Sequence, residues 1–191
     1  REDLEAIAKV LKDTNIMIAS DEIYSELTYS GKHCSIAEIE GMRERTIVIN
    51  GFSKSFAMTG WRLGFLGGPK EIVSQMLKLH QYAIMSSPTV SQYAAIVAMH
   101  SCQKDIDAMR NEYNIRRRFV VDSFNKLGLK CFAPQGAFYV FPCIKSTGMT
   151  STDFCEKLVY TKKVAVVPGD AFGECGEGYV RVSYAYSLNH L

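Results

Sequence analysis

The pattern of apolar and polar positions predicts alternating helices and strands at the start of the chain. Segment 1–13 carries apolar residues at helical spacing, with acidic residues in the first turn, where the helix dipole favours them. Short apolar runs at 15–20 and 46–50 are compatible with strands buried on both faces, and 63–69 is a third strand closed by Gly and Pro. This order predicts an α/β fold.

Helical spacing dominates the middle of the chain. A helix is predicted over 70–85 and is ended by Pro88, after which a second begins at 89–101. Apolar residues then recur at helical spacing from 105 to 127, and Gly128 follows as a C-terminal cap. The last of these three is predicted to be one long helix.

Beyond the long helix the pattern changes to short strands around a single helix. "LKCFAP", "GAFYVFP", "VAVVPG" and "GYVRVSYA" are predicted strands. The helix "TSTDFCEKLVYTKK" is predicted to open with Asp153 and Glu156 in a capping-box arrangement. We therefore expect a domain boundary near residue 104, with one domain at 1–103 and a small α+β domain at 104–191.

Composition excludes several classes of function. The 191 residues are 47% hydrophobic and 22% charged, which is typical of a globular domain with a core. A formal charge of +2 argues against nucleic acid or an anionic membrane as partner, and the apolar runs are too short to span a membrane, so we expect a cytoplasmic protein. The six cysteines are scattered without zinc spacing, and no metal is expected.

Three polar segments lie next to the ends of predicted strands, the part of an α/β sheet where ligands commonly bind. They are "SDEIY", "GFSK" and "WR". Taken one at a time, each has an ordinary structural interpretation. Asp21 suits a helix N-cap, Lys54 a solvated loop cation, and Arg62 a salt-bridge partner for Asp21 or Glu22. Spacing alone does not decide between these interpretations and a functional site.

Taken together, "DEIY", "GFSKSFAMTGWRLGF" and "GYVRVSYA" resemble the class I/II aminotransferases, fold-type-I enzymes that use pyridoxal 5'-phosphate. The resemblance extends over the whole chain, including "HQY", "MRNEYNIRRR" and "VAVVPGDAFGECGEGY" in the family order. It implies that 1–103 is the C-terminal part of the cofactor-binding large domain, with a mixed, mostly parallel sheet. It also implies that 104–191 is the small C-terminal domain, with its final helix beginning at "SLNHL".

The resemblance assigns roles around the cofactor. Lys54 would hold the cofactor aldehyde as an imine and then move the proton between the substrate Cα and C4' of the cofactor. Asp21 would keep the ring nitrogen protonated, and Tyr24 would donate to the 3'-oxygen. Arg62 would bind the phosphate as a fork-shaped donor. Ser53 could add a hydroxyl to the phosphate site. This assignment is weaker than that of Arg62, because some family members place the phosphate-binding serine three residues before the lysine, where this chain has Gly51.

Arg181 is the expected substrate-binding residue. In "GYVRVSYA" it shares one face of an alternating strand with Tyr179 and Ser183, which alone would explain an exposed arginine. By resemblance it matches the family arginine that binds the substrate carboxylate bidentately. The carboxylate is common to all amino acids, so the donor stays open among aspartate, aromatic amino acids and acylated diaminopimelate, with aspartate or aromatic donors preferred.

The resemblance also implies that these residues are about the C-terminal half of a subunit that forms homodimers. Family members carry further cofactor contacts upstream of the segments matched here, so these residues alone are expected to bind the cofactor weakly. Two other functions on the same scaffold stay open: a pyridoxal-phosphate-dependent β-lyase, and the cofactor-sensing domain of a transcription regulator.

Overall fold

The computed structural model describes all 191 residues, which divide into two compact units, Arg1–Ala108 and Met109–Leu191. Each unit contains its own three-stranded sheet. None of the helices combines the length and the apolar composition that crossing a membrane requires.

The sheet of the first unit has the strand order β1-β2-β3. Its strands are β1 Ile18–Asp21, β2 Thr46–Gly51 and β3 Gly64–Gly67. β1 and β2 are parallel, whereas β3 runs antiparallel to β2 with Gly51 opposite Gly64. The amino end of β3 therefore lies at the same edge as the carboxyl ends of β1 and β2, and this edge carries the candidate site.

The predicted helices of the first half are confirmed. They are α1 Glu2–Leu11, α3 Lys70–Ala83, α4 Thr89–Ser101 and α5 Gln103–Lys126. A further single-turn helix, α2 Phe52–Ser55, was not predicted. The glycine expected to end the long helix does so. Gly128 has a φ of +78°, and the N–H of Leu129 donates to the carbonyl of Phe124 at 3.0 Å. This closes the helix with the left-handed glycine that such caps require.

Two apolar clusters hold the first unit together. One packs α1 against a single-turn helix and the residues after it, through Ala8, Ile36, Ile39 and Met42. The other joins the short helix α2 to α4 through Phe52, Met58, Ala95 and Ala98. Burying a side chain the size of Phe contributes about 1.5–3 kcal/mol. The second cluster therefore anchors the turn that carries the candidate lysine.

The second unit contains an antiparallel sheet of order β4-β6-β5, the part of α5 from Met109 onward and one further helix. Its elements are β4 Tyr139–Val140, β5 Val167–Pro168, β6 Val180–Ser183 and α6 Ser151–Lys162. "LKCFAP" forms no strand. The carbonyl of Lys130 in this segment accepts a hydrogen bond from the N–H of Cys143 at 2.8 Å, but no strand ladder forms. The expectation of a strand there was wrong.

The start of α6 also differs from the prediction. Thr150 is the N-cap, and its hydroxyl accepts a hydrogen bond from the N–H of Asp153 at 3.1 Å. Asp153 is thus the third helical residue and not the opening one, because the threonine hydroxyl already satisfies a free N–H of the first turn. A complete capping box forms elsewhere, between Ser35 and Glu38.

Candidate active site

The polar segments singled out in the sequence meet at one edge of the first sheet. Asp21 is the last residue of β1, and Lys54 lies three residues beyond Gly51, where β2 ends. Arg62 lies two residues before Gly64, where β3 begins. Because Gly51 and Gly64 are paired, the chain leaves β2 and enters β3 at the same point. An amine, a carboxylate and a guanidinium are thereby brought to one region of the first unit.

Lys54 lies on the single-turn helix α2 and is half-buried. The rings of Phe52 and Phe56 are in contact, with centroids 5.1 Å apart, and Phe52 is only 4% exposed. The lysine backbone is therefore held between two packed aromatic residues. Ser53, also half-buried, precedes it on the same turn, and the Oγ of Ser55 is buried without a hydrogen-bond partner. Lys54 is thus not a solvated loop cation.

Asp21 stabilises a turn and not a helix. Its Oδ1 accepts a hydrogen bond from the N–H of Ile23 at 3.1 Å, and residues 23–26 form turns. The helix N-cap interpretation was therefore wrong, although the carboxylate does cap a backbone N–H. Asp21 is exposed and Tyr24, within the turn, is half-buried. Asp21 forms no ion pair with a basic side chain.

The turn after β1 is fastened to the end of β2. The side-chain amide of Asn50 donates to the hydroxyl of Ser25 at 3.2 Å. Gly51 approaches so closely that a Cβ there would lie 3.2 Å from the Ile23 side chain and 3.1 Å from the Gly64 Cα. The Asn50–Ser25 hydrogen bond and the close approach of Gly51 to Ile23 therefore fix the segment that bears Asp21 relative to the segment that bears Lys54.

Arg62 has an unusual backbone conformation. It lies in the left-handed region with φ 52° and ψ 47°, which costs a residue with a Cβ about 1–3 kcal/mol. One guanidinium nitrogen, Nη1, donates to the carbonyl of Thr59 at 2.8 Å. The salt bridge to Asp21 or Glu22 considered from the sequence is absent, so that interpretation was wrong. The remaining donors of the exposed guanidinium can bind an anion.

Glu22 is a structural residue of this edge that the sequence did not reveal. Its carboxylate is buried, with the residue 8% exposed. It accepts hydrogen bonds from the hydroxyls of Ser35 at 2.5 Å and Ser20 at 3.0 Å, and pairs with Nε2 of His33 at 2.9 Å. Burial raises the pKa of this carboxyl, but the bonds from Ser35, His33 and Ser20 outweigh that effect and leave it below its ordinary value.

We expect Glu22→Gln to weaken the fold most near neutral pH. A pKa lowered by folding contributes stability above the unfolded value of 4.5, and this stability is lost as the pH falls through the folded value. Glutamine removes the charge that the three donors stabilise, a loss of about 1–3 kcal/mol in the free energy of unfolding. Urea unfolding at pH 7 and below pH 4.5 measures the difference, which should shrink in acid.

The exposed Glu40 provides a matched control for this prediction. Glu40→Gln should leave the free energy of unfolding within about 0.5 kcal/mol of the unchanged chain at both pH values. Equal losses for the Glu22 variant at neutral and acid pH would contradict the assignment of the stability to the Glu22 charge.

Arg181 lies in the second unit, on β6 opposite Val167 of β5. It is half-buried and its guanidinium lies over two aromatic rings, 4.7 Å from the ring centroid of Tyr139 and 4.5 Å from that of Phe172. The sequence had placed Arg181 on a strand but had not indicated either ring. The aromatic-rich segments "GAFYVFP" and "DAF" were the signal that could have indicated them.

The groups collected at the first-sheet edge have a defined chemistry. Lys54 can condense with a carbonyl group, Arg62 can bind an anion through paired donors, and Asp21 can hold a protonated base. No group of three or more His, Cys, Asp or Glu side chains is placed to hold a metal ion. The arrangement is therefore suited to an organic ligand with an anionic substituent and a basic nitrogen.

Comparison with known proteins points in the same direction. Residues 1–189 match the family described as Aminotransferase class I and II. The chain is 50% identical over its full length to a putative aminotransferase, YugH, of Bacillus subtilis, and covers 50% of that protein. It is 48% identical to the aspartate aminotransferase of Pyrococcus abyssi, again over all of this chain and 50% of the relative.

Solved structures share the fold. The aromatic aminotransferase of Pyrococcus horikoshii matches with a TM-score of 0.96 at 46% identity, over 99% of this chain and 51% of that one. The chain therefore spans about half the length of the curated relatives and solved structures that it matches.

Proposed function

Because the chain belongs to the class I and II aminotransferase family, we propose that it forms part of a pyridoxal-phosphate-dependent enzyme that transfers the amino group of an L-amino acid to a 2-oxo acid. The observation that carries this proposal is that Lys54 lies on a packed turn at the sheet edge where Asp21 and Arg62 also lie, and that neither Asp21 nor Arg62 forms an ion pair. Below, the complete subunit means a chain of the relatives' length that contains these residues.

The residues present fit the cofactor by their chemistry. Pyridoxal phosphate has an aldehyde, a phosphate dianion, a phenolic oxygen and a pyridine nitrogen. Lys54 supplies an amine for the first and Arg62 a guanidinium for the second, with the hydroxyl of Ser53 as a further donor to phosphate. Tyr24 supplies a hydroxyl for the phenolic oxygen and Asp21 a carboxylate for the protonated nitrogen. In this proposal residues 1–103 belong to the cofactor-binding domain and 104–191 to the small domain.

The mechanism assigns a task to each of these side chains. When bound, the cofactor would supply a carbonyl for condensation with amines and a ring able to accept the electron pair left on a deprotonated Cα. Lys54 would hold the cofactor until a substrate amine replaces it, and would then carry the proton away from Cα. Asp21 keeps a proton on the pyridine nitrogen, and Arg62 fixes the phosphate end so that the reacting atoms stay in place. Arg181 binds the substrate carboxylate.

The amino donor proposed is aspartate or an aromatic amino acid. Support comes from relatives named for these activities: the aspartate aminotransferase of Pyrococcus abyssi and the aromatic-amino-acid aminotransferase 2 of Thermococcus litoralis, 48% and 47% identical to this chain. The homodimer and the cytoplasmic location expected from the sequence stay predictions.

The test is a donor screen with the complete subunit and pyridoxal phosphate. We expect 2-oxoglutarate-dependent formation of the keto acid from aspartate or from an aromatic amino acid. Release of pyruvate and ammonia from a β-substituted donor, with no amino transfer to 2-oxoglutarate, would replace the proposal with the β-lyase alternative. No reaction with any donor, in a subunit that binds the cofactor, would favour the sensor alternative.

A further inference from the structure

Arg181 is a half-buried cation whose contacts within the chain are aromatic. Its guanidinium forms no ion pair and no hydrogen bond, and lies over the rings of Tyr139 and Phe172 at 4.7 and 4.5 Å from their centroids. A guanidinium that lies over ring faces keeps its N–H donors pointing outward in its own plane. The paired donors of Arg181 are therefore available to a ligand.

The antiparallel sheet brings the first ring to Arg181. Tyr139 on β4 is paired with Ser183 on β6, and Arg181 lies two residues before Ser183 on the same face. Tyr139 and Arg181 are thus diagonal neighbours, a relation in which long side chains meet. The ring of Tyr139 packs in turn on Phe138, with centroids 4.7 Å apart. Its position is therefore set by strand register and by a second ring.

The loop after β5 brings the second ring. Phe172 ends the 3-10 helix Gly169–Phe172, and the N–H of Gly169 donates to the carbonyl of Tyr179 at 2.9 Å. The approach is so close that a Cβ on Gly169 would lie 2.6 Å from that carbonyl oxygen. The Phe172 ring also meets the edge of Phe141 at 5.6 Å. The loop is thus fastened to β6 where it can place a ring over Arg181.

We propose that Tyr139 and Phe172 are positioning residues, which hold the Arg181 guanidinium so that its paired donors face the carboxylate of the amino acid substrate. This inference rests on the proposed function. The rings restrict the rotamers of a long side chain before substrate arrives, so less conformational freedom is lost on binding. They also exclude water from the guanidinium faces, which strengthens its bond to a carboxylate. Their effect is on substrate binding and not on the cofactor.

The test compares ring-removing and ring-preserving variants of the complete subunit. Tyr139→Leu and Phe172→Leu should each raise KM for the amino acid donor about tenfold, the scale of one lost cation–π contact, with kcat changed less than about threefold. Tyr139→Phe keeps the ring and should hold KM within about twofold. The absorbance of the bound cofactor should be the same in all variants.

A matched control is available in the same unit. Lys130 lies over the ring of Phe132 at 5.1 Å, and Phe132 is 68% exposed, so Phe132→Leu removes a cation–π contact that does not involve Arg181. The Phe132→Leu variant should have an unchanged KM for the amino acid donor. Phe172 is 49% exposed in a loop, so its replacement tests the inference even where loss of the Tyr139 ring prevents folding.

The two failures are distinguishable. If the complete subunit without any substitution transfers no amino group, both the proposed function and this inference are overturned. An active subunit in which Phe172→Leu or Tyr139→Leu has the KM of the Phe132→Leu control overturns this inference alone. A fall in kcat without a rise in KM would also overturn it, because it would place the rings in the chemical step.

Discussion

Replacing Lys54 by arginine is expected to lower turnover of the complete subunit at least about a thousandfold. Arginine preserves the charge and has a side chain of similar, slightly greater length, so the packed turn at Phe52 should persist. A guanidinium stays protonated and is not a nucleophile, so it can neither condense with the cofactor aldehyde nor accept the Cα proton. General acid–base catalysis alone contributes about 100- to 10,000-fold.

Absorbance and turnover measure this effect together. The unchanged subunit should show the imine band of the bound cofactor, and the Lys54→Arg variant should show the spectrum of the free aldehyde. Lys70→Arg, at the exposed start of α3, is the matched control and should retain both band and turnover. A Lys54→Arg variant with more than a tenth of the normal kcat would contradict the role proposed for this amine.

The convergence of the site residues was only partly predictable from the sequence. Periodicity located the helices because their repeat extends over ten or more residues, as in Glu2–Leu11 and Gln103–Lys126. It also located the strands that deliver Asp21 and Lys54. The direction of β3 was not predictable, because twelve residues between Gly51 and Gly64 allow either orientation. The antiparallel pairing is what brings Arg62 to the shared edge.

The short elements of the second unit carried a weaker signal. β4 and β5 are two residues long, so an alternating pattern cannot define their ends, and "LKCFAP" has a similar pattern without strand pairing. Phe172 reaches Arg181 from an irregular loop, where no periodicity applies. The ring contacts of this arginine therefore depend on tertiary structure.

Glu22 shows the same limit for polar side chains. Its partners His33 and Ser35 are eleven and thirteen residues away, across a connection without regular secondary structure at its start. From the sequence, an acidic residue next to Asp21 would be interpreted as a second surface charge. Only the fold shows that Glu22 is buried and that Asp21 is exposed to solvent. Two adjacent carboxylates thus have separate tasks: Glu22 fastens the turn, and Asp21 remains available to a ligand.

This division of tasks leads to the second large effect, which we expect for Asp21→Asn. Asparagine keeps an oxygen that can accept the N–H of Ile23, so the turn after β1 should be preserved. In the proposed role, this change removes the negative charge that would keep a proton on the pyridine nitrogen, and with it the capacity of the ring to accept the electron pair from Cα. We expect kcat to fall about a hundredfold or more. A hundredfold fall corresponds to a rise of about 2.7 kcal/mol in the activation barrier.

Separate measurement of kcat, of KM and of cofactor affinity distinguishes this role from a structural one. KM for the amino acid should change little, because the carboxylate-binding role proposed for Arg181 does not depend on Asp21, and the cofactor dissociation constant should rise far less than kcat falls. Asp13→Asn, at an exposed aspartate after α1, should leave all three unchanged. A variant at Asp21 that loses cofactor affinity but keeps kcat would show that the carboxylate serves binding alone. The proton that makes the ring an electron acceptor would then have to be held by another group.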